Sequence, residues 1–238
     1  MIYLFTGFLI ELLWDLLGNF VFAIVPENFV IFVTLVIDLL ILGLFLLGAM
    51  ALRQESKHFR SAFVISIILI ATSCLTTVLN LFPDMVSYDG LTAVVPFVLG
   101  FMLAYQLIKG IIDRHHASQL TKSAQRLMTY WKASLWLLGG LFVTLVVGMI
   151  AILGTVSYQY SGQSIESDWL LNMGEDFFAL IANDVLPVIG PFLIGVAVVL
   201  VGLILAYLIV RILFVVTVYQ LKDVQGPVVA EAPQPAVE

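Results

Sequence analysis

Charge is what this chain has least of. Only 11% of its 238 residues are Asp, Glu, Lys or Arg, against about 25% in an ordinary soluble domain. Too few charges are present to cover a water-exposed surface, which excludes a soluble globular protein. The same shortage excludes a disordered chain and a nucleic-acid-binding protein, both of which need charge. Cysteine is nearly absent too. Cys74 is the single one, so an intramolecular disulfide is excluded. There are three histidines: His58, His115 and His116. The sequence has no H-E-x-x-H pair, no G-x-S-x-G elbow and no Walker A lysine loop. Asp113 with His115 and His116 is a poor metal set, because adjacent residues on a helix point about 100° apart. No cofactor and no enzymatic activity are expected.

What the chain has instead is apolar length. Hydrophobic residues make up 62%, and the mean hydropathy is +1.11. A helix needs about 20 mostly apolar residues to cross a hydrocarbon core of roughly 30 Å. Six stretches meet or approach that length: Met1–Val25, Phe29–Leu52, Ser61–Phe82, Leu91–Lys109, Lys132–Val156 and Pro187–Tyr219. They do not alternate as barrel strands would. Helices satisfy their own backbone hydrogen bonds in lipid, so the expected fold is all-α. It is a polytopic bundle of six transmembrane helices in one domain over residues 1–219, with a flexible cytoplasmic tail over 220–238. The first stretch carries Glu11 and Asp15 and lacks a basic leader, so it reads as a retained span.

Charge placement sets the orientation. Arg53, Lys57 and Arg60 follow the second span, and Lys109, Arg114, Lys122, Arg126 and Lys132 follow the fourth. Arg211 and Lys222 are assigned to the end of the sixth or beyond it. All the basic residues then fall on one side. The opposite loops are acidic, with Glu27, Asp84, Asp89, Glu166, Asp168, Glu175, Asp176 and Asp184. The positive-inside rule places both termini in the cytoplasm of a cell-membrane protein.

Two connecting segments have patterns of their own. The basic stretch between the fourth and fifth spans has no Pro and one Gly, Gly110 near its start. It reads as a solvated connector with helical character, continuous with a neighbouring span. Between the fifth and sixth spans, Ile165, Trp169, Met173, Phe177 and Ile181 recur at i+4, with acids largely elsewhere on the wheel. That predicts an amphipathic helix at the outer interface, with Trp169, Met173, Phe177 and Ile181 as its contact face. In the fifth span, Gly140, Thr144 and Gly148 have the small-xxx-small spacing that lets helices approach closely.

The anomaly lies in the first two spans. Glu11, Asp15 and Asn19 stand at i, i+4 and i+8, on one face of one helix. Asp38 lies in the second span, with Thr34 one turn away. A short turn joins the two helices, so Asp15 and Asp38 are expected at one depth, with Glu11 a turn below. An ionised carboxylate at a helix centre costs roughly 2.5–3.5 kcal/mol. Three approach the whole net stability of a typical domain. No Lys or Arg is assigned to that depth, so the acids are expected to face the bundle interior, a wet cavity or a partner.

Two functional classes follow. One is a non-enzymatic subunit or accessory factor of a larger membrane assembly, surrounded by the lipid bilayer and by a protein partner or further copies of itself. The other is a small permease or channel coupled to protons or cations through Glu11, Asp15 and Asp38, with Asn19 and Thr34 beside them. A substrate-capture subunit of a transporter stands between the two. Nucleic acid is not an expected partner.

Overall fold

The computed structural model describes residues 1–24, 26–80, 89–115, 121–159 and 186–222. Among these residues every regular element is α-helical. Six helices follow in order: α1 (Ile2–Ile24), α2 (Glu27–Leu52), α3 (Lys57–Asn80), α4 (Asp89–Arg114), α5 (Thr121–Gln159) and α6 (Leu186–Leu221). The apolar runs dictate these elements, and the breaks fall where helix-stopping chemistry is found. Pro26, in an extended conformation, precedes α2. Ser56 caps α3, its Oγ accepting from the His58 backbone N–H at 3.1 Å.

Five stretches are long and apolar enough to cross a membrane: Phe32–Leu52, Lys57–Val78, Val94–Arg114, Thr121–Val156 and Pro187–Leu221. The protein is membrane-embedded, and all-helical among the described residues. Helix α1 is not among the five. The amphipathic segment with Trp169, Met173, Phe177 and Ile181 lies outside the described residues, as does the chain beyond residue 222.

The first four helices match their expected runs within a few residues. The fifth differs more, starting at Thr121 rather than Lys132. Thr121–Lys132 is thus helical and continuous with the span, because nothing in it breaks a helix. At 1.5 Å per residue, α5 and α6 are roughly 55 Å long, far beyond the roughly 30 Å of a hydrocarbon core.

The chain divides into two compact units, Met1–Trp131 with Arg211–Glu238, and Lys132–Val210. The divisions fall inside the continuous helices α5 and α6.

In the first unit, α1 to α4 pack each against the next. The core lies at the end of the helices that bears the basic loops. Leu4 and Phe8 of α1, Phe45 and Ala49 of α2, Phe59 and Ala62 of α3, Leu107 and Ile111 of α4, Leu127 of α5 and Val218 of α6 are all buried there. Two glycines permit the closest approaches. A Cβ on Gly110 would stand 2.7 Å from the Phe59 ring, and one on Gly48 would collide with Leu4. Phe8 packs against Phe45 with tilted rings at 4.8 Å and edge-to-face against Phe214 at 5.0 Å.

In the second unit, the small residues of α5 face α6. A Cβ on Gly148 would lie 3.3 Å from Val196, and one on Gly140 lies 3.6 Å from Leu203. Thr144 turns its hydroxyl back to the Gly140 carbonyl at 2.8 Å.

Candidate functional site

The centre of interest is where α1 meets the last part of α6. Aromatic contacts set the register of this pair. Phe5 packs edge-on to Tyr219 at 5.2 Å, and Phe8 meets Phe214. Counting one further turn along each antiparallel helix brings Glu11 opposite Arg211. There Arg211 Nη2 lies 3.0 Å from Glu11 Oε1 and donates to Asp15 Oδ2 at 3.4 Å. The Arg211 side chain is 13% exposed, and those of Glu11 and Asp15 are 36% and 35% exposed.

This overturns the expectation that no basic residue reaches the depth of the acids. Arg211 lies inside the apolar run of α6, well before its end at Leu221. Assigning it to the basic side of the bundle hid its true level. That level follows from the α1–α6 register, which joins residues about 200 positions apart. The sequence held one usable signal: an Arg inside LIVRILFVV is itself an intramembrane ion in want of a partner.

Asp38 stands apart from this cluster. On α1 and α2, Phe8 meets Phe45, and Gly48 meets Leu4. Extending that antiparallel register puts Asp38 level with Trp14 and Asp15, the depth expected from the short turn. Level does not mean contact: Asp38 has no hydrogen bond or ion pair with any described residue. It is half-buried, as is Thr34 a turn above. The Asn19 side chain lies outside the described residues. Of the five candidates, the structure therefore joins Glu11 and Asp15 through Arg211 and leaves Asp38 with Thr34 separate.

A second polar group lies at the basic end, where the α2–α3 turn meets α4. Ser56 Oγ donates to Asp113 Oδ2 at 2.7 Å, and His58 Nδ1 lies 2.7 Å from Gln106 Oε1. His58 Nε2 is 3.8 Å from Asp113, and Arg114 Nε is 3.3 Å from Glu55. Ser56 points its hydroxyl at the carboxylate and not at the imidazole, so the group is a tether rather than a nucleophile with its base. Sequence reasoning missed this tether, since it depends on the α3–α4 pairing.

His115 is fully buried at the end of α4. Its ring nitrogens lie 2.8 Å from the Ile111 carbonyl and 3.2 Å from the Leu221 carbonyl, so the ring links the ends of α4 and α6. Among the described residues no group of three His, Cys, Asp or Glu is placed to hold a metal ion.

No family model, no curated protein and no solved structure matches the chain.

Proposed function

We propose that this protein is a six-span, multi-pass cell-membrane protein with both termini in the cytoplasm, and that it serves as a non-enzymatic subunit or accessory factor of a larger membrane assembly. Three observations support α1 as the sixth span. Its acids have a cation in Arg211, its length of 23 residues suffices for a span, and a sixth span keeps the basic loops on one side.

The observation that carries the subunit reading is the bareness of α5 and α6. Only 6% of the most apolar stretch of α5 is buried within the chain, and 0% of that of α6. Gly139, Gly154, Gly190, Gly195 and Gly202 would each find open space for a Cβ. Small residues on bare helix faces suit close packing by another membrane helix. Purification in a mild detergent tests this. A photo-crosslinker at Val198 or Ile194, both strongly exposed, should trap one protein partner, or a second copy, in stoichiometric yield. A monodisperse monomer crosslinked only to lipid refutes it.

One observation favours the permease reading. Two carboxylates share one guanidinium, and Asp38 has no described partner. The intramembrane charge is thus not balanced within the described residues, as a proton or cation carrier requires. Flux in liposomes, measured with the purified chain alone and compared with Asp38→Asn, separates this from the subunit reading.

A further inference from the structure

The acids at the basic end of the first unit are already engaged. Glu55 pairs with Arg114 at 3.3 Å, and Asp113 accepts from Ser56 at 2.7 Å and lies 3.8 Å from His58. The bases around them are not so occupied. Arg60 and Arg126 are exposed, and neither has a hydrogen bond or ion pair with any described residue. Lys109 stands 5.8 Å over the Tyr105 ring and has no acid partner among the described residues.

These three bases share one depth. Phe59 meets Gly110 and Ser56 meets Asp113, so Arg60 of α3 stands level with Lys109 of α4. Thr121 donates to the His115 carbonyl and Tyr105 meets Trp131, so Arg126 of α5 stands level with Gly110. The His115–Leu221 contact brings Val216 of α6 to the same level, and Val216 is 45% exposed. The exposed apolar surface does not stop there. The Glu11–Arg211 pair sets α1 against α6, and the Leu4–Gly48 approach sets α2 against α1. Ile2 and Met50 therefore stand level with Gln220, about four residues or roughly 6 Å nearer the basic end. They are 62% and 44% exposed.

Apolar side chains exposed at that depth call for lipid around them. Arg60, Lys109 and Arg126 lie no further out, so they are set within the lipid and not beyond it in water. The ring pair of Tyr105 and Trp131, 5.7 Å apart beside Lys109, is of the kind found at the membrane–water boundary. A long basic side chain at this level lays its stem along the helix and lifts its charge to the headgroups. The anions within its reach are lipid phosphates. A zwitterionic headgroup brings its own cation, whereas an anionic one brings none. We infer that Arg60, Lys109 and Arg126 form a basic belt that holds the phosphates of anionic phospholipids in the leaflet at this end. The belt requires a membrane-embedded chain, and neither the proposed sidedness nor the subunit reading.

The test uses the purified full chain, stripped of lipid in a mild detergent. It is titrated with phosphatidylglycerol and, separately, with phosphatidylcholine. The rise in Tm on binding yields an apparent affinity for each. The wild type should prefer phosphatidylglycerol by roughly tenfold or more. Arg60→Gln and Arg126→Gln should each lower the affinity for phosphatidylglycerol by roughly fivefold and leave that for phosphatidylcholine unchanged. Both side chains are exposed, so neither variant removes core packing. Arg60→Lys, which keeps the charge, should retain most of the affinity.

Two further bases separate the belt from general surface charge. Lys57 and Lys122 are also exposed but stand nearer the helix ends, level with Ile112 and Arg114. Lys57→Gln and Lys122→Gln remove the same charge and should cost clearly less. Equal affinity of the wild type for the two lipids refutes the belt. So does an equal loss in all four glutamine variants, which makes unspecific surface charge the cause. A polyglutamate peptide is the water-soluble comparison. If it raises the Tm of the wild type, and Arg60→Gln and Arg126→Gln abolish that rise, the bases meet an acidic protein from the water side and the lipid assignment is overturned.

Discussion

Arg211 joins the first helix to the last: its Nη2 lies 3.0 Å from Glu11 and 3.4 Å from Asp15. In a medium without water, a guanidinium between two carboxylates is worth most when all three are present. Removing only the cation leaves two acids in an apolar surround. Arg211→Leu should therefore destabilise the protein by about 3 kcal/mol, read as a lowered Tm in detergent. Arg211→Lys should recover part of the loss, since Lys keeps the charge but not the fork that reaches two partners. An unchanged Tm for Arg211→Leu contradicts the clamp.

Asp38 predicts the opposite sign. It is half-buried and has no described hydrogen-bond or ion-pair partner. Neutralising it as Asp38→Asn removes the cost of a charge at the helix centre, roughly 2.5–3.5 kcal/mol at most. The Tm should hold or rise. A fall as large as that of Arg211→Leu means that Asp38 has a structural partner.

Glycines separate by what surrounds them. At Gly48 and Gly110 a side chain meets Leu4 or Phe59. Gly48→Leu and Gly110→Leu should each cost about 1–3 kcal/mol through overpacking. At Gly139 nothing lies within 4 Å of a Cβ. Gly139→Ala should be neutral in the lone chain. Loss of crosslinking to a partner in that variant supports its face as a contact.

Ser56 has two tasks, capping α3 and holding Asp113. Ser56→Ala loses both, so about 1–2 kcal/mol should go. Ser56→Asp keeps the cap but sets two carboxylates together, and should recover none of the Asp113 contact. Equal stability of the wild type and both variants removes the tether from the account.

Much of the fold is legible in the sequence because lipid makes simple demands. Twenty apolar residues, a turn and a charge asymmetry were enough to place α1 to α4 and α6 within a few residues. The inner end of α5 escapes a span-length argument, which stops at the apolar edge, but the lack of a helix breaker in Thr121–Lys132 reads it as helical and continuous with a span, and so it is. Glu11, Asp15 and Asp38 stood out as acids in apolar runs. Their fates did not, because those depend on register between helices distant in sequence. Arg211 meets α1 only through the Phe5–Tyr219 and Phe8–Phe214 contacts. The Ser56–Asp113 tether likewise needs α3 laid against α4.

The most direct test of the central claim is a double-mutant cycle between the two helices. Glu11→Gln with Asp15→Asn forms one arm, Arg211→Gln the other, and all three substitutions together close the cycle. Unfolding of the purified protein in detergent supplies the free energies. The clamp predicts that the triple variant is more stable than the sum of the two arms by about 1–3 kcal/mol, because no ion is then left without its counterion. Strict additivity within about 0.5 kcal/mol contradicts it: α1 and α6 are then held together by the apolar contacts of Phe5, Phe8, Phe214 and Tyr219 alone.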